Sequence, residues 1–389
     1  MNELKNIKPK EKITGFEQNN FYSSKVSTID QISKNILSIN DNLESFNLSI
    51  NDKEILKKII NSLKKKTTDL LIDDFILNQH EIPEIERIPV SLYPRYLIYR
   101  YKFNKYPVLK KVNEYPICVN LEPTSICNLR CVMCYQSDKT FSRKSNNFMG
   151  NMNMDLFKKI IDEIHGNVEA LTLASRGEPT LNQNLNEMLK YCNGKFLGLK
   201  LNTNATMLNE KIIHSIFSTD LQTLVFSIDE KDKESYEKIR VNAKFEKTMK
   251  NLELFKNIKE KHYKSSKMIV RISGVKINEN QNINEMKKQY EGFADQITFV
   301  NYGPWESAYD NEINEIKKHC SQLFRNIYIW WDGIVNPCDY DYKSILSKNN
   351  INNESIKQIW NSENFNFLRE KHINKKRREI HPCNKCLNV

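Results

Sequence analysis

Glycine is scarce in this 389-residue sequence, which has ten glycines in all and none between Phe16 and Met149. Long apolar runs are also missing, since no segment approaches the roughly 18 apolar residues that a membrane-spanning helix needs. The amino-terminal segment has no apolar core of the kind found in signal peptides. These absences argue against a membrane span and against secretion, so we expect a cytoplasmic protein.

The composition excludes a wholly disordered chain, because 28% charged and 39% hydrophobic residues are ordinary for a globular protein. Lysine and arginine number 59 against 48 acidic residues, which gives a formal net charge of +11. The basic residues are dispersed along the chain, so a solvated surface explains them better than nucleic-acid binding does.

The glycine-free amino-terminal part is predicted to be helical up to about Lys65, because apolar residues recur at helical spacing, as at Ile55 and Ile59. Residues 91–116 follow, with six tyrosines, six lysines or arginines and three prolines, and proline interrupts regular elements. We expect an extended connector whose aromatic residues pack against the next domain, with stacking on bases or sugars as the alternative.

From Pro116 onward, short apolar runs alternate with longer amphipathic ones, which is typical of a parallel sheet covered by helices. Six strands are predicted, at 117–122, 168–174, 196–202, 221–229, 268–275 and 294–301. Helices are predicted between them, near 155–165, 183–191, 209–217, 233–261 and 283–290. The carboxyl ends of parallel strands meet at one edge, so functional residues are expected just after the strands.

Clustered cysteines in a cytoplasmic protein are expected to be metal ligands rather than disulfides. Cys127, Cys131 and Cys134 follow the first strand with the spacing CxxxCxxC. Three thiolates on a short loop can hold three corners of a cubic iron–sulfur cluster and leave the fourth iron open. A structural zinc site would normally have four protein ligands. Cys118 and Cys192 are predicted to be buried apolar residues instead.

With CxxxCxxC directly after its first strand, the chain resembles the radical S-adenosylmethionine (radical SAM) superfamily. The resemblance implies an α/β fold, a partial (βα)6 TIM-like barrel, in which the three cysteines hold a [4Fe–4S] cluster. It also implies that the open iron binds S-adenosylmethionine (SAM), which the reduced cluster cleaves to a 5′-deoxyadenosyl radical. By the same resemblance Met133 and Tyr135 are expected near the adenine, with packing as the alternative role.

A second motif follows the second strand, where Ser175, Arg176, Gly177, Glu178 and Pro179 stand at the position of the family's Gly-Gly-Glu-Pro sequence. In the family this turn receives the methionyl amino group of SAM, so these residues are expected to bind the cofactor. Arg176 replaces the first glycine. Because arginine binds carboxylates bidentately, we predict that Arg176 holds the cofactor carboxylate or a substrate oxygen and acts in catalysis.

More polar residues stand at or near the ends of the later strands, namely Asn202, Asn204, Ser227, Asp229 and Arg271. The resemblance implies contacts to the ribose or the carboxylate of SAM at these strand ends, so all five are predicted to bind cofactor. The alternative for each is a satisfied polar residue or a loop cap.

The last 70 residues contain four further cysteines, Cys320, Cys338, Cys383 and Cys386. Asp332-Gly333 between two apolar runs predicts a hairpin that brings flanking thiols together. A helix is predicted at about 352–372, with Asn352 or Asn353 as its cap.

This cysteine pattern, CX12GX4C followed by CxxC, resembles the auxiliary-cluster extension called SPASM, or its shorter form called twitch. The resemblance implies one auxiliary [4Fe–4S] cluster held by those four thiolates, and a zinc knuckle is the alternative. The predicted domains are a helical region with its connector at 1–112, a radical SAM core at 113–305 and an auxiliary-cluster domain at 306–389.

The combined motifs imply a radical SAM enzyme with a reducing partner such as flavodoxin or ferredoxin. We expect hydrogen abstraction from a sugar or an aminocyclitol-like metabolite, whose oxidation passes an electron to the auxiliary cluster, as in an oxidoreductase. Modification of a peptide substrate is the alternative within the superfamily. A zinc-containing nucleic-acid-binding protein is the alternative from another class.

Overall fold

The structure is a computed structural model that describes residues 17–20, 26–79, 81–278, 281–347 and 349–387. In this part of the chain nine strands form one sheet, in the order β1-β7-β6-β5-β4-β3-β2-β8-β9. The strands are β1 (Glu17–Asn20), β2 (Cys118–Leu121), β3 (Ala170–Leu173), β4 (Gly198–Thr203), β5 (Thr223–Ser227), β6 (Ile269–Lys276), β7 (Gln296–Asn301), β8 (Asn326–Ile329) and β9 (Val335–Asn336).

Thirteen α-helices are described in the same residues. They are α1 (Val26–Ser38), α2 (Ile50–Leu63), α3 (Glu81–Glu86), α4 (Tyr93–Leu109), α5 (Lys139–Ser142), α6 (Met154–Ile164), α7 (Leu185–Cys192), α8 (Glu210–Phe217), α9 (Lys233–Ile239), α10 (Phe245–His262), α11 (Ile283–Tyr290), α12 (Ile356–Trp360) and α13 (Glu363–Ile373). None of the helices described is both long and apolar enough to cross a membrane.

All six predicted strands of the parallel sheet are confirmed, as β2 to β7, and they lie side by side in chain order. Each neighbouring pair is parallel. The two outer members pair with other strands, because β7 is joined by antiparallel β1 and β2 by parallel β8. The described strands therefore form an open, mostly parallel α/β barrel.

The two faces of this sheet differ in chemistry. Leu121, Leu173 and Leu201 stand in register on β2, β3 and β4 and belong to the main apolar core, together with side chains of the flanking helices. Alternate residues project from the opposite, inner face. That face carries polar residues such as Asn120 and Lys200, which are only partly buried.

Residues 91–116 are not an extended connector, and this prediction was wrong. Most of the segment is helix α4, which contains Pro94 in its first turn and Pro107 in its last turn. Proline is tolerated in the first helical turn, where its missing N–H has no intrahelical acceptor. The expected packing of its aromatic residues is seen, since Tyr99 lies in one buried cluster with Cys118 and Ala170.

Two predicted helices are interrupted. The helix predicted at 233–261 is divided into α9 and α10 by a turn in which Asn242 has a φ of 76°. The helix predicted at 352–372 is divided into α12 and α13, and its cap is Ser355, which forms a capping box with Gln358. Asn352 and Asn353 therefore precede the helix rather than cap it.

Other predictions are confirmed. The hairpin around Gly333 is formed by β8 and β9. Cys118 and Cys192 are buried, with exposed fractions of 8% and 1%. The amino-terminal part is helical where the structure describes it, in α1 and α2, whereas residues 1–16 lie outside the described residues. The proposed domain boundaries stay predictions.

Candidate cofactor and cluster sites

The loop that follows β2 carries the three cysteines of the CxxxCxxC motif. Backbone N–H groups point at two of the sulfur atoms, from Leu129 to Cys127 Sγ at 3.4 Å and from Gln136 to Cys134 Sγ at 3.5 Å. Such donors favour a negatively charged sulfur, as in a metal-bound thiolate.

Electrostatics of this loop favour the binding of positively charged iron. Burial raises the pKa of the Cys127 thiol to about 12, and Glu178 and Cys131 raise it further. Burial also raises the pKa of Cys134, and the neighbouring thiols of Cys131 and Cys127 act in the same direction. Ionising these thiols without a cation is therefore costly, and a bound metal offsets that cost.

A single metal ion would require a tighter group of ligands. Among the residues that the structure describes, no three histidine, cysteine or acidic side chains are close enough together to hold one. A cubic cluster has a different requirement, because each thiolate binds a separate iron.

The predicted cofactor turn after β3 lies against the cysteine loop. A Cβ atom added at Gly177 would lie 2.2 Å from the carbonyl oxygen of Thr124, so only glycine fits there. Tyr135 donates from its hydroxyl to the carbonyl oxygen of Ser175 at 2.8 Å. Gln136 donates to the carbonyl oxygens of Ser125 and Arg176. These bonds hold both predicted motifs together at the carboxyl edge of the sheet.

Glu178 is buried and fully engaged within the turn, which Pro179 continues as a 3-10 helix. Its carboxylate accepts hydrogen bonds from the Thr203 hydroxyl at 2.7 Å and from the Asn204 backbone N–H at 2.7 Å. The carboxylate thus ties the turn to the end of β4. Burial raises the pKa of Glu178, while the hydrogen bond from Thr180 opposes this rise.

Arg176 lies at the same edge and is 3% exposed. Its Nε and Nη2 donate to the two carboxylate oxygens of Glu122 at 2.7 Å each, and its Nη1 donates to the carbonyl oxygen of Tyr342 at 2.8 Å. The guanidinium also stacks on Trp330, 4.1 Å from the ring centroid. Its donors are occupied by protein groups, so in this structure Arg176 ties the core to the carboxyl-terminal part of the chain.

Other predicted residues offer polar atoms that the protein does not use. Ser175 Oγ and Asn202 Oδ1 are buried and have no hydrogen-bond partner among the described residues. Ser175 also has a φ of 139°, a backbone conformation that is unusual outside glycine. Buried polar groups are normally paired. These two atoms therefore fit a bound polar cofactor such as SAM.

The remaining residues predicted to bind the cofactor differ in burial and in their hydrogen bonds to other residues. Met133 and Tyr135 are buried, at 8% and 2% exposed. Asn204 donates to Asn128 Oδ1 at 3.0 Å. Ser227 is half-buried at the end of β5. Arg271 is buried and donates to Gln296 Oε1 at 2.8 Å and 2.9 Å.

Sequence reasoning missed an arginine that contacts the cysteine loop. Arg240 follows α9 and donates from Nε to the Asp229 carboxylate at 2.6 Å, and its Nη1 lies 3.9 Å from Cys131 Sγ. Asp229 also accepts from the Val275 N–H at 2.7 Å. Nothing in its charge-rich segment distinguishes Arg240, because its position depends on the turn that interrupts the predicted helix.

Of the four carboxyl-terminal cysteines, Cys386 is buried and the other three are half-buried. Burial raises the pKa of Cys338, and Cys383 and Cys320 act in the same direction. Burial likewise raises the pKa of Cys383, with Cys320 and Cys386 adding to it. The four thiols therefore influence one another closely, as ligands of one cluster would.

An arginine and a histidine that the sequence did not reveal lie beside these cysteines. Arg377 is 1% exposed and donates from Nη2 to the carbonyl oxygen of Cys383 at 2.6 Å, with Cys386 as a second acceptor. Its Nε and Nη1 are buried and have no partner in the described part of the chain. His372 Nδ1 accepts from the Cys320 N–H at 3.2 Å. Unpaired buried N–H groups fit the sulfur atoms of a cluster.

An aromatic cluster connects the two cysteine sites. It contains Cys134 on one side and Cys338 and Cys386 on the other. The ring of Tyr135 stacks on Trp305 with the centroids 6.0 Å apart, and it lies 5.0 Å from the Tyr342 ring. Its aromatic members are Tyr135, Phe141, Phe148, Trp305, Tyr309, Tyr340 and Tyr342.

The two cysteine sites and the open barrel define a class of iron–sulfur protein, and comparisons with known proteins agree. Residues 121–286 match the Radical SAM superfamily, and residues 320–387 match SPASM, an iron–sulfur cluster-binding domain. The chain therefore contains a radical SAM domain followed by a carboxyl-terminal SPASM domain. These matches decide against the zinc-containing nucleic-acid-binding alternative.

Individual relatives are distant. The chain is 26% identical over 182 residues to protein MJ0804 of Methanocaldococcus jannaschii, a match that covers 46% of this chain and 54% of that protein. It is 28% identical over 138 residues to the mycofactocin maturase MftC of Mycobacterium tuberculosis, which covers 36% of this chain and 34% of the maturase. These matches span little more than half of the relatives' length at most.

Among solved structures, the fold is similar to that of Streptococcus suis SuiB bound to S-adenosylmethionine. The TM-score is 0.52 at 14% sequence identity, with 83% of this chain and 84% of SuiB covered. The radical SAM domain implies a [4Fe–4S] cluster and SAM, and the SPASM domain implies auxiliary iron–sulfur ligation. The donors described above fit these groups.

Proposed function

We propose that this chain is an enzyme that binds SAM at a [4Fe–4S] cluster held by Cys127, Cys131 and Cys134. The observation that carries the proposal is a loop with one buried and two half-buried thiols, which packs through its backbone against the Gly177 turn at the carboxyl edge of the barrel. A reduced [4Fe–4S] cluster bound there would supply the electron for cleavage of SAM, and thereby the chemistry for hydrogen abstraction from the substrate.

The chain's own residues bind the cofactor and exclude water. The unpaired Ser175 Oγ and Asn202 Oδ1 are positioned to bind polar groups of SAM. Gly177 gives the cofactor access to a backbone that a side chain would obstruct. Tyr135 and Trp305 cover the cysteine loop with stacked aromatic rings, which keeps solvent from a reactive radical.

We propose a peptide as the substrate class. The support comes from the mycofactocin maturase MftC, whose name describes a maturation reaction, and from the fold shared with SuiB, which has been solved with its precursor peptide SuiA. The SPASM domain adds an auxiliary cluster held by Cys320, Cys338, Cys383 and Cys386. That cluster is suited to accept the electron that a substrate radical loses when it is oxidised.

A small polar metabolite, such as a sugar or an aminocyclitol, is the second candidate. The inner face of the barrel favours it, because partly buried polar side chains from several strands lie on this face. Helix α4 packs near the amino-terminal ends of β2 and β3, where Tyr99 clusters with Cys118 and Ala170. A polar face with a helix packed at one end suits a compact polar substrate.

Anaerobic reconstitution tests the proposed chemistry. The reconstituted protein should hold about eight irons, as two cubic clusters require. With dithionite, or with reduced flavodoxin or ferredoxin, it should convert SAM to 5′-deoxyadenosine and methionine. Zinc at near stoichiometry in place of iron, or no 5′-deoxyadenosine with any reductant, would overturn the proposal.

The substrate class is tested by the rate of the same reaction. Precursor-type peptides and aminocyclitols are added separately, and the formation of 5′-deoxyadenosine is followed together with the mass of the added compound. A peptide that accelerates the reaction and loses two hydrogens supports the peptide assignment. Stimulation by aminocyclitols alone would replace it with the second candidate.

A further inference from the structure

Lys200 lies in the middle of β4 on the inner face of the barrel. Residues 198, 200 and 202 of this strand are partly accessible, whereas residues 199, 201 and 203 are buried. Open volume therefore borders the inner face along β4. No hydrogen bond or ion pair joins the Lys200 ammonium to any side chain in the described ranges.

Two other unsatisfied polar groups share this face. Asn120 is in register with Thr172 and then with Lys200, so it lies two strands away, at about 10 Å across the sheet. Asn202 lies two residues further along β4, about 7 Å away. Asn120 Nδ2 and Asn202 Oδ1 are both buried without a partner. A lysine side chain is long enough to bring its ammonium between them.

One cation and one carboxylate are among the groups that act on Lys200. Burial lowers the pKa of Lys200, and Arg271 lowers it further, whereas Cys118 and the carboxylate of Glu84 raise it. Glu84 accepts a hydrogen bond from Tyr96 at 2.8 Å, and it also lies 3.9 Å from Arg100. Glu84 is thus engaged by other residues, and no ion pair joins it to Lys200 among the described residues.

We propose that Lys200, with Asn120, binds a carboxylate group of the substrate inside the barrel. This inference rests on the proposed function, because it names a chemical class for the substrate of the same site. The Lys200 ammonium and the Asn120 amide N–H group are both donors and match a carboxylate, whereas Asn202 Oδ1 is an acceptor and stays available to the cofactor. In a peptide substrate the carboxylate is an acidic side chain or the chain end.

Depth in the barrel separates this group from the cofactor site. Lys200 stands two residues before Asn202, on the side away from the cysteine loop, whereas Asn202 and Ser175 are the unsatisfied groups nearest the strand ends. The cofactor is expected at the strand ends. A substrate whose carboxylate is bound by Lys200 therefore approaches the cofactor from within the barrel.

Glutarate serves as the probe, in equilibrium binding to the reconstituted full-length protein in the presence of SAM. Lys200→Met should weaken glutarate binding at least tenfold, and Lys200→Arg should retain part of it. Lys211→Met, which removes an exposed lysine from α8, should change nothing. A failure of the proposed function would be recognised separately, by the absence of SAM cleavage in the unaltered protein.

The unaltered protein provides a second measurement if Lys200→Met does not fold. Reductive methylation followed by peptide mass spectrometry should modify Lys200, and glutarate should protect it while Lys211 stays reactive. The proposal is overturned if glutarate neither binds nor protects, if inorganic phosphate binds in its place, or if Lys200→Met weakens SAM binding instead, since the lysine would then hold the cofactor carboxylate.

Discussion

Arg176 and Glu122 form a buried two-point ion pair, with both nitrogen–oxygen distances at 2.7 Å and side chains exposed by only 2% and 0%. Glu122 also accepts from the backbone N–H of Trp331 at 3.2 Å, and Arg176 donates to the carbonyl oxygen of Tyr342. The pair thereby joins the cofactor turn after β3 to the carboxyl-terminal domain. An arginine in place of the family's glycine has, in this structure, a positioning role.

Removing one member of this pair should be strongly destabilising. Glu122→Gln leaves the Arg176 charge buried without a counterion, and we expect a loss of about 3 to 5 kcal/mol in the free energy of unfolding. The control is Glu234→Gln, which removes an exposed partner of Lys238 and should cost under about 1 kcal/mol. The midpoints of thermal unfolding of the two variants are compared with each other and with that of the unaltered protein. Equal midpoints would show that the buried pair contributes nothing.

The sequence predicted the central sheet because its strands are buried and apolar. Runs such as 168–174 and 221–229 read as strands without knowledge of their neighbours, and β3 and β5 lie inside them. Helix α4 was missed because its stability comes from tertiary packing. The two prolines of α4 make helix formation less favourable, and the tyrosines that α4 buries against the barrel offset this cost.

The site was predictable only in part. The cysteines were found because their spacing is local in sequence, and the Gly177 turn because it follows a predicted strand. Arg240, Glu122 and Lys200 reach the site through folding, and the sequence around them contains many other charged residues. An acidic residue directly after the first strand was a usable signal for Glu122, since buried charges require partners.

Substitutions of cysteine should distinguish the two clusters. Cys131→Ala should abolish SAM cleavage, because its thiolate is one of the three proposed to hold the SAM-binding cluster. Cys338→Ala should lower the iron content by about four atoms per chain and reduce product formation, while some SAM cleavage persists. Iron analysis and 5′-deoxyadenosine assays measure both effects.

The control for these variants is Cys192→Ala, which alters a buried cysteine of α7 that packs in the apolar core. It should keep its iron and its SAM cleavage. Loss of SAM cleavage in Cys338→Ala to the level of Cys131→Ala would contradict separate roles for the clusters.

Glu230 should make stability depend on pH. Burial raises its pKa from 4.5 to about 7, and the carboxylates of Asp232 and Asp229 add to the rise. The folded protein therefore retains a proton that the unfolded chain has lost, so the free energy of unfolding should fall as pH rises from about 4.5 to about 7. Glu230→Gln should remove this fall and be the more stable protein above pH 7.

Denaturant unfolding across this pH range measures the effect. Glu253→Gln, at an exposed position of α10, is the control and should keep the pH profile of the unaltered protein. If Glu230→Gln does not change how the free energy of unfolding depends on pH, other groups cause that dependence.

Arg377 should raise the reduction potential of the auxiliary cluster. Its buried guanidinium stands beside the cysteines, where its charge opposes the rise in the pKa of Cys320 and Cys383. Its Nε and Nη1 have no described hydrogen-bond partner, so they are available to cluster sulfur. Positive charge and N–H donors both stabilise the more negative, reduced cluster. Arg377→Met should therefore lower the potential by tens of millivolts in a spectroscopic redox titration.

The adjacent Arg378 provides a matched control, because it is 63% exposed and pairs with Glu315 on the surface. Arg378→Met should leave the reduction potential unchanged. Arg377→Lys keeps the positive charge, so it should lower the potential less than Arg377→Met does. If Arg377→Met loses the cluster altogether, the potential of Arg377→Lys is compared with that of the unaltered protein. Lysine keeps the positive charge and lacks the guanidinium N–H donors, so this comparison separates the two effects. The prediction would be contradicted by an unchanged potential in both Arg377 variants with the auxiliary cluster's four irons still bound. Arg377 would then only hold the Cys383 and Cys386 carbonyl groups in place.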